Sequence, residues 1–205
     1  MLNNIASLIL TYLFSAIPFG LLIGKIFYGK DIRKTGSENI GATNVMRTCG
    51  KIAGISTFLL DGLKGAIPIL LYKQFFTNTS TSFEYLIGFI AILGHIFPIY
   101  LKFKGGKGVA TTILVLFALN LKLGFLAAGI FGVFLILFGY VSLASIMMSL
   151  LLLPFSAFEF AFNENHNMLI FNLGFAFLLC LRHTDNIKRL LNGEEGKMFK
   201  KSIFY

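Results

Sequence analysis

Apolar runs, most of them long enough to cross a bilayer, fill this 205-residue chain and are interrupted only by short polar stretches. A helix needs roughly 20 apolar residues to cross a hydrocarbon layer of roughly 30 Å. The chain therefore has room for several spans and for no separate soluble catalytic domain. Composition agrees, with 56% of residues hydrophobic and 13% charged, about half the roughly 25% charged residues of a soluble domain. The alternation of barrel strands is absent, and helices satisfy every backbone amide within their own segment. These features predict an all-α integral membrane protein, a single polytopic domain over 1–205.

Hydropathy places seven spans, at 5–24, 52–72, 85–101, 108–119, 121–138, 141–158 and 168–181. The fourth is the shortest, and its residues rise too little to cross the layer unless it begins below the interface. Charge tests the count, because Lys and Arg concentrate in cytoplasmic loops. Segment 25–51 carries Lys25, Lys30, Arg33, Lys34, Arg47 and Lys51. The next connection has Lys73 with Glu84, and the one after has Lys102, Lys104 and Lys107. Asn163, Glu164 and His166 precede the last span, and Arg182, Lys188, Arg189, Lys197, Lys200 and Lys201 follow it. Seven transmembrane helices with the N-terminus outside and the C-terminus cytoplasmic satisfy all of these; six or eight put a basic segment on the wrong face. No Lys or Arg precedes Lys25 and no small-residue cleavage site follows the first run, so that run is expected to remain as a span.

The net charge of +9 suggests nucleic acid in a soluble chain; in a membrane chain it points to topology and anionic ligands, with no nucleic-acid partner. Cys49 and Cys180 are too few for a disulfide framework, and three scattered histidines make no metal site. No cofactor is expected.

Four polar clusters fall on the cytoplasmic side of this topology. In Gly36-Ser37-Glu38-Asn39-Ile40-Gly41-Ala42-Thr43-Asn44-Val45-Met46-Arg47, glycines let the backbone turn its N–H groups toward an anion, and Arg47 can clamp a phosphate in a bidentate fork. Lys104-Gly105-Gly106-Lys107-Gly108-Val109-Ala110-Thr111 is a glycine-rich turn leading into a helix, shaped like a phosphate cradle at a helix N-terminus but lacking the hydroxyl of a Walker A loop. The segment His183-Thr184-Asp185-Asn186-Ile187-Lys188-Arg189, continuing to Glu195, puts His183 and Asn186 on one helical face. Tyr140-Val141-Ser142-Leu143-Ala144-Ser145 adds hydroxyls at a helix start. Within the bilayer, Asp61 and Lys64 stand three apart, at ion-pair spacing, and His95 near Pro98 reads as a packing histidine at a kink.

Ser37 to Arg47, Lys104 to Thr111 and His183 to Glu195, in that order, resemble the three cytoplasmic motifs of the bacterial acyl-phosphate:glycerol-3-phosphate acyltransferases. Asp61 to Gly65, Tyr140 to Ser145 and the seven-span topology extend the resemblance over the whole chain. Glu38 departs from the pattern, which has glycine after the serine. The resemblance implies acyl transfer from acyl phosphate to the 1-hydroxyl of glycerol 3-phosphate, giving lysophosphatidate and phosphate, at the cytoplasmic face of the bacterial inner membrane. It implies catalytic roles for Ser37, His183 and Asn186. It also implies substrate or phosphate binding by Gly36, Asn39, Gly41, Thr43, Asn44, Arg47, Lys104, Gly105, Gly106, Lys107, Ser142 and Glu195. The His-x-x-x-x-Asp dyad of thioester-using acyltransferases is absent, since neither His95, His166 nor His183 has Asp five positions on. A small transporter of an anionic phosphate or lipid competes with this reading, but it needs polar access from both faces. A scaffold docking other enzymes leaves the clustered glycines without a purpose.

Overall fold

A computed structural model describes residues 2–76 and 80–198, and all regular structure among them is helical. Lys200 and Lys201, assigned above to the cytoplasmic tail, lie outside the described residues. The chain divides into two compact units, 1–120 and 121–205.

In the first unit, the apolar run expected as one span at 5–24 is broken. Helix α1, Leu2–Ser15, stops before Pro18, and α2, Phe19–Tyr28, restarts directly after it. Proline carries no amide N–H and pushes the preceding residue out of helical conformation, so the chain surrenders helical hydrogen bonds within this apolar run. The Ile17 carbonyl is recovered by Lys64, whose Nζ donates to it at 2.7 Å. Lys64 lies on α4, Lys51–Phe75, which follows the short α3, Ala42–Cys49. Helix α5, Thr81–Ile96, returns and ends near His95, where one 3₁₀ turn, Ile99–Leu101, leads toward the glycine-rich turn.

Helix α6, Val109–Leu119, has 11 residues, a rise of about 16 Å. The fourth predicted span is therefore short. Gly62 and Gly65 of α4 lie against Ala110, Thr111, Leu114 and Val115, where a side chain would collide, so small residues set the close approach of α4 and α6. At the far end, Lys73 Nζ donates to Ala118 O at 2.8 Å and to Leu119 O at 3.4 Å. It also pairs with Glu84 at 3.3 Å. This cation caps the carbonyl end of a helix too short to carry its own terminus into water. The charges read from the sequence as a loop signal thus have a structural task.

The second unit contains α7, Leu121–Phe138, with the bounds expected from hydropathy; α8, Val141–Asn163; and α9, His166–Arg182. Asn172 of α9 donates to Ser156 Oγ of α8, an interhelical hydrogen bond within apolar surroundings. After α9 the chain bends by 63° into α10, Thr184–Leu191.

Among the described residues five stretches are long and apolar enough to cross a membrane, namely Asn4–Tyr28, Lys51–Phe75, Thr81–Leu101, Leu121–Phe138 and Val141–Asn163, or six if the bent pair α9 and α10 counts as one span. Helix α6 falls short of that length.

Candidate active site

The loop before α3 is built around Asn44, which is only 1% exposed. Its Oδ1 accepts the Ser37 N–H at 2.8 Å, and its Nδ2 donates to Ile32 O at 2.8 Å, Thr35 O at 3.1 Å and Asn39 O at 2.9 Å. Asn39 Oδ1 in turn accepts the Gly41 N–H at 2.9 Å. Beneath the loop, Leu21, Ile23, Ile32, Ile40, Val45 and Ala53 form an apolar core, and Leu101 packs against it. That contact brings the first and second polar segments to the same end of the unit.

These bonds correct the expected roles. Asn39 and Asn44 shape the loop from inside, and the amides of Ser37 and Gly41 are occupied within it. Gly36 is required by its φ of +63° and because a Cβ there would strike Asn44 Oδ1. Ser37 and Arg47 are exposed and Thr43 is half-buried. Thr43 and Arg47 are four apart on that helix and share a face. Arg33 and Lys25 pair with Asp31 at 2.6 and 3.5 Å. The hydrogen bond from Arg33 holds the Asp31 carboxyl well below the usual carboxylate range.

Glu38, the departure noted above, has φ +58°, a left-handed conformation that costs a side-chain-bearing residue roughly 1–2 kcal/mol. Glu38→Gly relieves this while adding flexibility to the unfolded chain, for a net stabilisation of about 0.5–1 kcal/mol. Thermal unfolding in detergent measures it; a lower midpoint than wild type contradicts the assignment.

The glycine-rich turn also faces the protein. The Gly105 and Gly106 amides donate to Ile96 O at 3.1 Å and His95 O at 3.2 Å, capping the end of α5. Both glycines are buried, and a Cβ on Gly106 would fall on the His95 imidazole. Gly105 and Gly106, expected among the phosphate-binding residues, thus seat the turn on α5 through their amides. Lys107 is half-buried and Lys104 is exposed, and both precede the first turn of α6.

Behind the turn lies a buried charge cluster. Lys64 Nζ is 2.6 Å from Asp61 Oδ1, and His95 Nδ1 is 3.7 Å from the same oxygen. The spacing of Asp61 and Lys64 predicts their pairing; the link onward to His95 and Gly106 was not legible. Pro18 was the available signal, since a broken helix in a membrane needs a donor.

In the second unit, His183 sits at the bend between α9 and α10 and is 2% exposed. Its Nδ1 lies 2.9 Å from Leu179 O. A carbonyl only accepts, so Nδ1 carries the hydrogen, and Nε2 is the acceptor of the neutral ring. Asn186 Nδ2 donates to Glu195 Oε1 at 2.7 Å, Ser142 Oγ donates to the same oxygen at 2.7 Å, and Arg189 Nε donates to Oε2 at 2.8 Å. Burial pushes the Glu195 carboxyl up, but the donations from Ser142, Arg189 and Asn186 outweigh it and hold the group below its ordinary value. Glu195 and Ser142, expected among the substrate- or phosphate-binding residues, are bonded to each other. Among the described residues no group of three or more His, Cys, Asp or Glu side chains is placed to hold a metal.

The family model for glycerol-3-phosphate acyltransferase matches residues 5–193. A glycerol-3-phosphate acyltransferase of Pelagibacter ubique is 43% identical over 187 residues, 91% of this chain and 93% of its own length. One from Endomicrobium trichonymphae is 41% identical over 98% of this chain and 100% of its own length. The crystal structure of PlsY (YgiH), an integral membrane glycerol 3-phosphate acyltransferase, in its glycerol 3-phosphate form superposes with a TM-score of 0.82 at 39% identity, covering 95% of both chains. A match spanning nearly all of the sequence, on a multi-helix membrane fold, is what the three ordered motifs implied. The chain belongs to the glycerol-3-phosphate acyltransferase family.

Proposed function

We propose that this acyltransferase takes its acyl group from an acyl phosphate and transfers it to the 1-hydroxyl of glycerol 3-phosphate, yielding lysophosphatidate and inorganic phosphate. The observation that carries the reading is the polar end of the first unit. There Leu101, three residues before Lys104 and six before Lys107, packs on the apolar core beneath the loop that leads to Arg47, which supports an arrangement suited to phosphate anions beside lipid-facing helices. Arg47, Lys104 and Lys107 neutralise phosphate charge, Ser37 and Thr43 donate from the loop, and His183 and Asn186 orient the glycerol.

In the reaction, the C1 hydroxyl oxygen attacks the acyl carbonyl carbon, the bond from that carbon to the phosphate oxygen breaks, and the hydroxyl proton passes to the departing phosphate. His183 Nδ1 faces a main-chain carbonyl and has no carboxylate there to strengthen the ring as a base. That supports a leaving group acting as its own proton acceptor.

The seven-span topology, with α6 as the short fourth member, the N-terminus outside and the motifs facing the cytoplasm across the bacterial inner membrane, is part of this proposal. In a variant with Cys180 replaced, an impermeant maleimide should label Cys49 only after the membrane is opened; labelling in intact cells overturns the orientation. For the reaction, purified protein in detergent given palmitoyl phosphate and labelled glycerol 3-phosphate should form lysophosphatidate and phosphate in equal amounts. Absence of lysophosphatidate overturns the assignment.

A further inference from the structure

We propose that the turn after α5 is an interfacial anchor: Tyr100 and Phe103 sink into the headgroup layer of an anionic bilayer, Lys102 and Lys104 meet its phosphates, and the glycine-rich turn is held at that depth. The consequence for the acyl donor rests on the acyl-transfer reading above; the anchoring itself does not.

The backbone of this turn is unusual. Lys102 has φ +52° and Phe103 φ +62°, two consecutive residues in the left-handed region that side-chain-bearing residues rarely enter. Main-chain bonds hold them there. The Leu101 and Phe103 N–H groups both donate to Pro98 O at 3.0 Å, Lys102 N–H donates to Ile99 O at 3.2 Å, and Lys104 N–H donates to Leu101 O at 3.1 Å. The result is a division of side chains. Leu101 packs on the core of the unit, whereas Tyr100 and Phe103 are 53% and 56% exposed. Backbone strain persists where the surroundings over-determine it, and here it turns a phenylalanine away from the protein. An apolar phase outside the chain compensates both the strain and the exposed ring.

Position and charge say what that phase is. The stretch Thr81–Leu101 is long and apolar enough to cross a membrane, so residues 100–104 stand at the end of a span, where hydrocarbon gives way to headgroups. Aromatic rings favour that level, and lysines beside them reach out to lipid phosphates. Lys102 and Lys104 are exposed, and residues 98–108 contain no Asp or Glu. That charge suits an anionic lipid surface, whereas a second copy of the chain would set like charges against each other. Lys104 and Lys107 lie one and four residues after Phe103, so the anchor sets their height. An acyl phosphate keeps its chain in the bilayer, and its phosphate can meet these lysines without leaving the headgroup layer.

The chain contains no Trp, so Phe103→Trp introduces a single emitter. The full chain with this substitution, in vesicles of phosphatidylcholine and phosphatidylglycerol, should emit to the blue of free tryptophan and resist acrylamide. Phospholipids brominated near the headgroup should quench it more than those brominated near the chain end. Emission and acrylamide access like those of a water-exposed indole overturn the anchor. Blue emission insensitive to brominated lipid means burial against a second copy and overturns it as well. None of this needs turnover, so it judges the anchor separately from the acyl-transfer reading, which the absence of lysophosphatidate from the wild type would refute. For the donor, Phe103→Asn removes the ring but keeps a residue type that tolerates the left-handed backbone. In the same vesicles it should raise KM for palmitoyl phosphate on the order of tenfold, with kcat and the KM for glycerol 3-phosphate near wild type. Phe103→Leu, still apolar, should stay close to wild type. An unchanged KM for palmitoyl phosphate in Phe103→Asn, or equal rises in both KM values, contradicts a role for the anchor in presenting the donor.

Discussion

Gly106→Ala should reduce acyl transfer at least about a hundredfold while leaving a protein that still inserts into the membrane. The added methyl falls on the His95 imidazole, and neither partner can easily give way. The Gly106 amide is bonded to the His95 carbonyl, and the ring lies against Asp61 on its other side. Overpacking of this kind costs about 1–3 kcal/mol, relieved most readily by lifting the turn. Lifting it moves Lys104, Lys107 and the start of α6 together, and a displacement near 1 Å costs on the order of 10²-fold where groups are positioned for reaction. Gly129→Ala on α7 is the control, because no atom lies within 4 Å of a Cβ placed there; it should retain near-normal turnover. Turnover of Gly106→Ala close to that control would show that the seat of the turn on His95 is unimportant.

Lys64→Met should be the most destabilising of the substitutions considered. Lys64 is 2% exposed and donates to two groups, the Asp61 carboxylate and the Ile17 carbonyl at the break in the first span; the carbonyl also accepts the Phe19 N–H at 3.1 Å, so the cost falls mainly on the carboxylate. Breaking a buried pair by removing one partner costs about 3–5 kcal/mol, because the other charge stays behind. The double variant Asp61→Leu with Lys64→Met should be less destabilised than Lys64→Met alone, since it removes the stranded charge and leaves the Ile17 carbonyl its bond from the Phe19 N–H. Thermal or denaturant unfolding in one detergent compares all three. A Lys64→Met protein as stable as wild type would mean that the break is satisfied by another route.

What could be read from the sequence followed the physics each signal carries. Hydropathy measures the transfer energy of side chains, so it located α7 to the residue and marked the stretch before Asn120 as the shortest of the expected spans. Helical spacing put Asp61 beside Lys64. Neither signal sees main-chain hydrogen bonds. Pro18 was in plain view, yet a hydropathy window averages over one residue, and the run looked continuous where the structure is broken.

The motifs suffered from a related blindness. Glycine, asparagine and serine were read as a cradle because their types suit one. Whether an amide faces a ligand or its own loop depends on partners distant in sequence. Asn44 turned inward to Ile32 and Thr35, and Gly106 turned to His95. Glu195 became an acceptor for Ser142, 53 residues away, a pairing that local spacing cannot encode. The exposure of Arg47 and Lys104 was easier to foresee, because charge keeps a side chain near solvent.

The central claim is the identity of the donor, and one assay addresses it directly. Purified protein is given glycerol 3-phosphate with matched palmitoyl phosphate, palmitoyl-coenzyme A or palmitoyl carrier protein, and lysophosphatidate is measured over time. Preorganised cationic and amide donors stabilise charge that develops on a phosphate leaving group, and losing even one such contact costs roughly 10²–10³-fold. A thioester places no phosphate at the reacting carbon. The account predicts lysophosphatidate from palmitoyl phosphate, with either thioester at least about a hundredfold slower; comparable rates from a thioester would contradict both the acyl-phosphate donor and the role given to the departing phosphate.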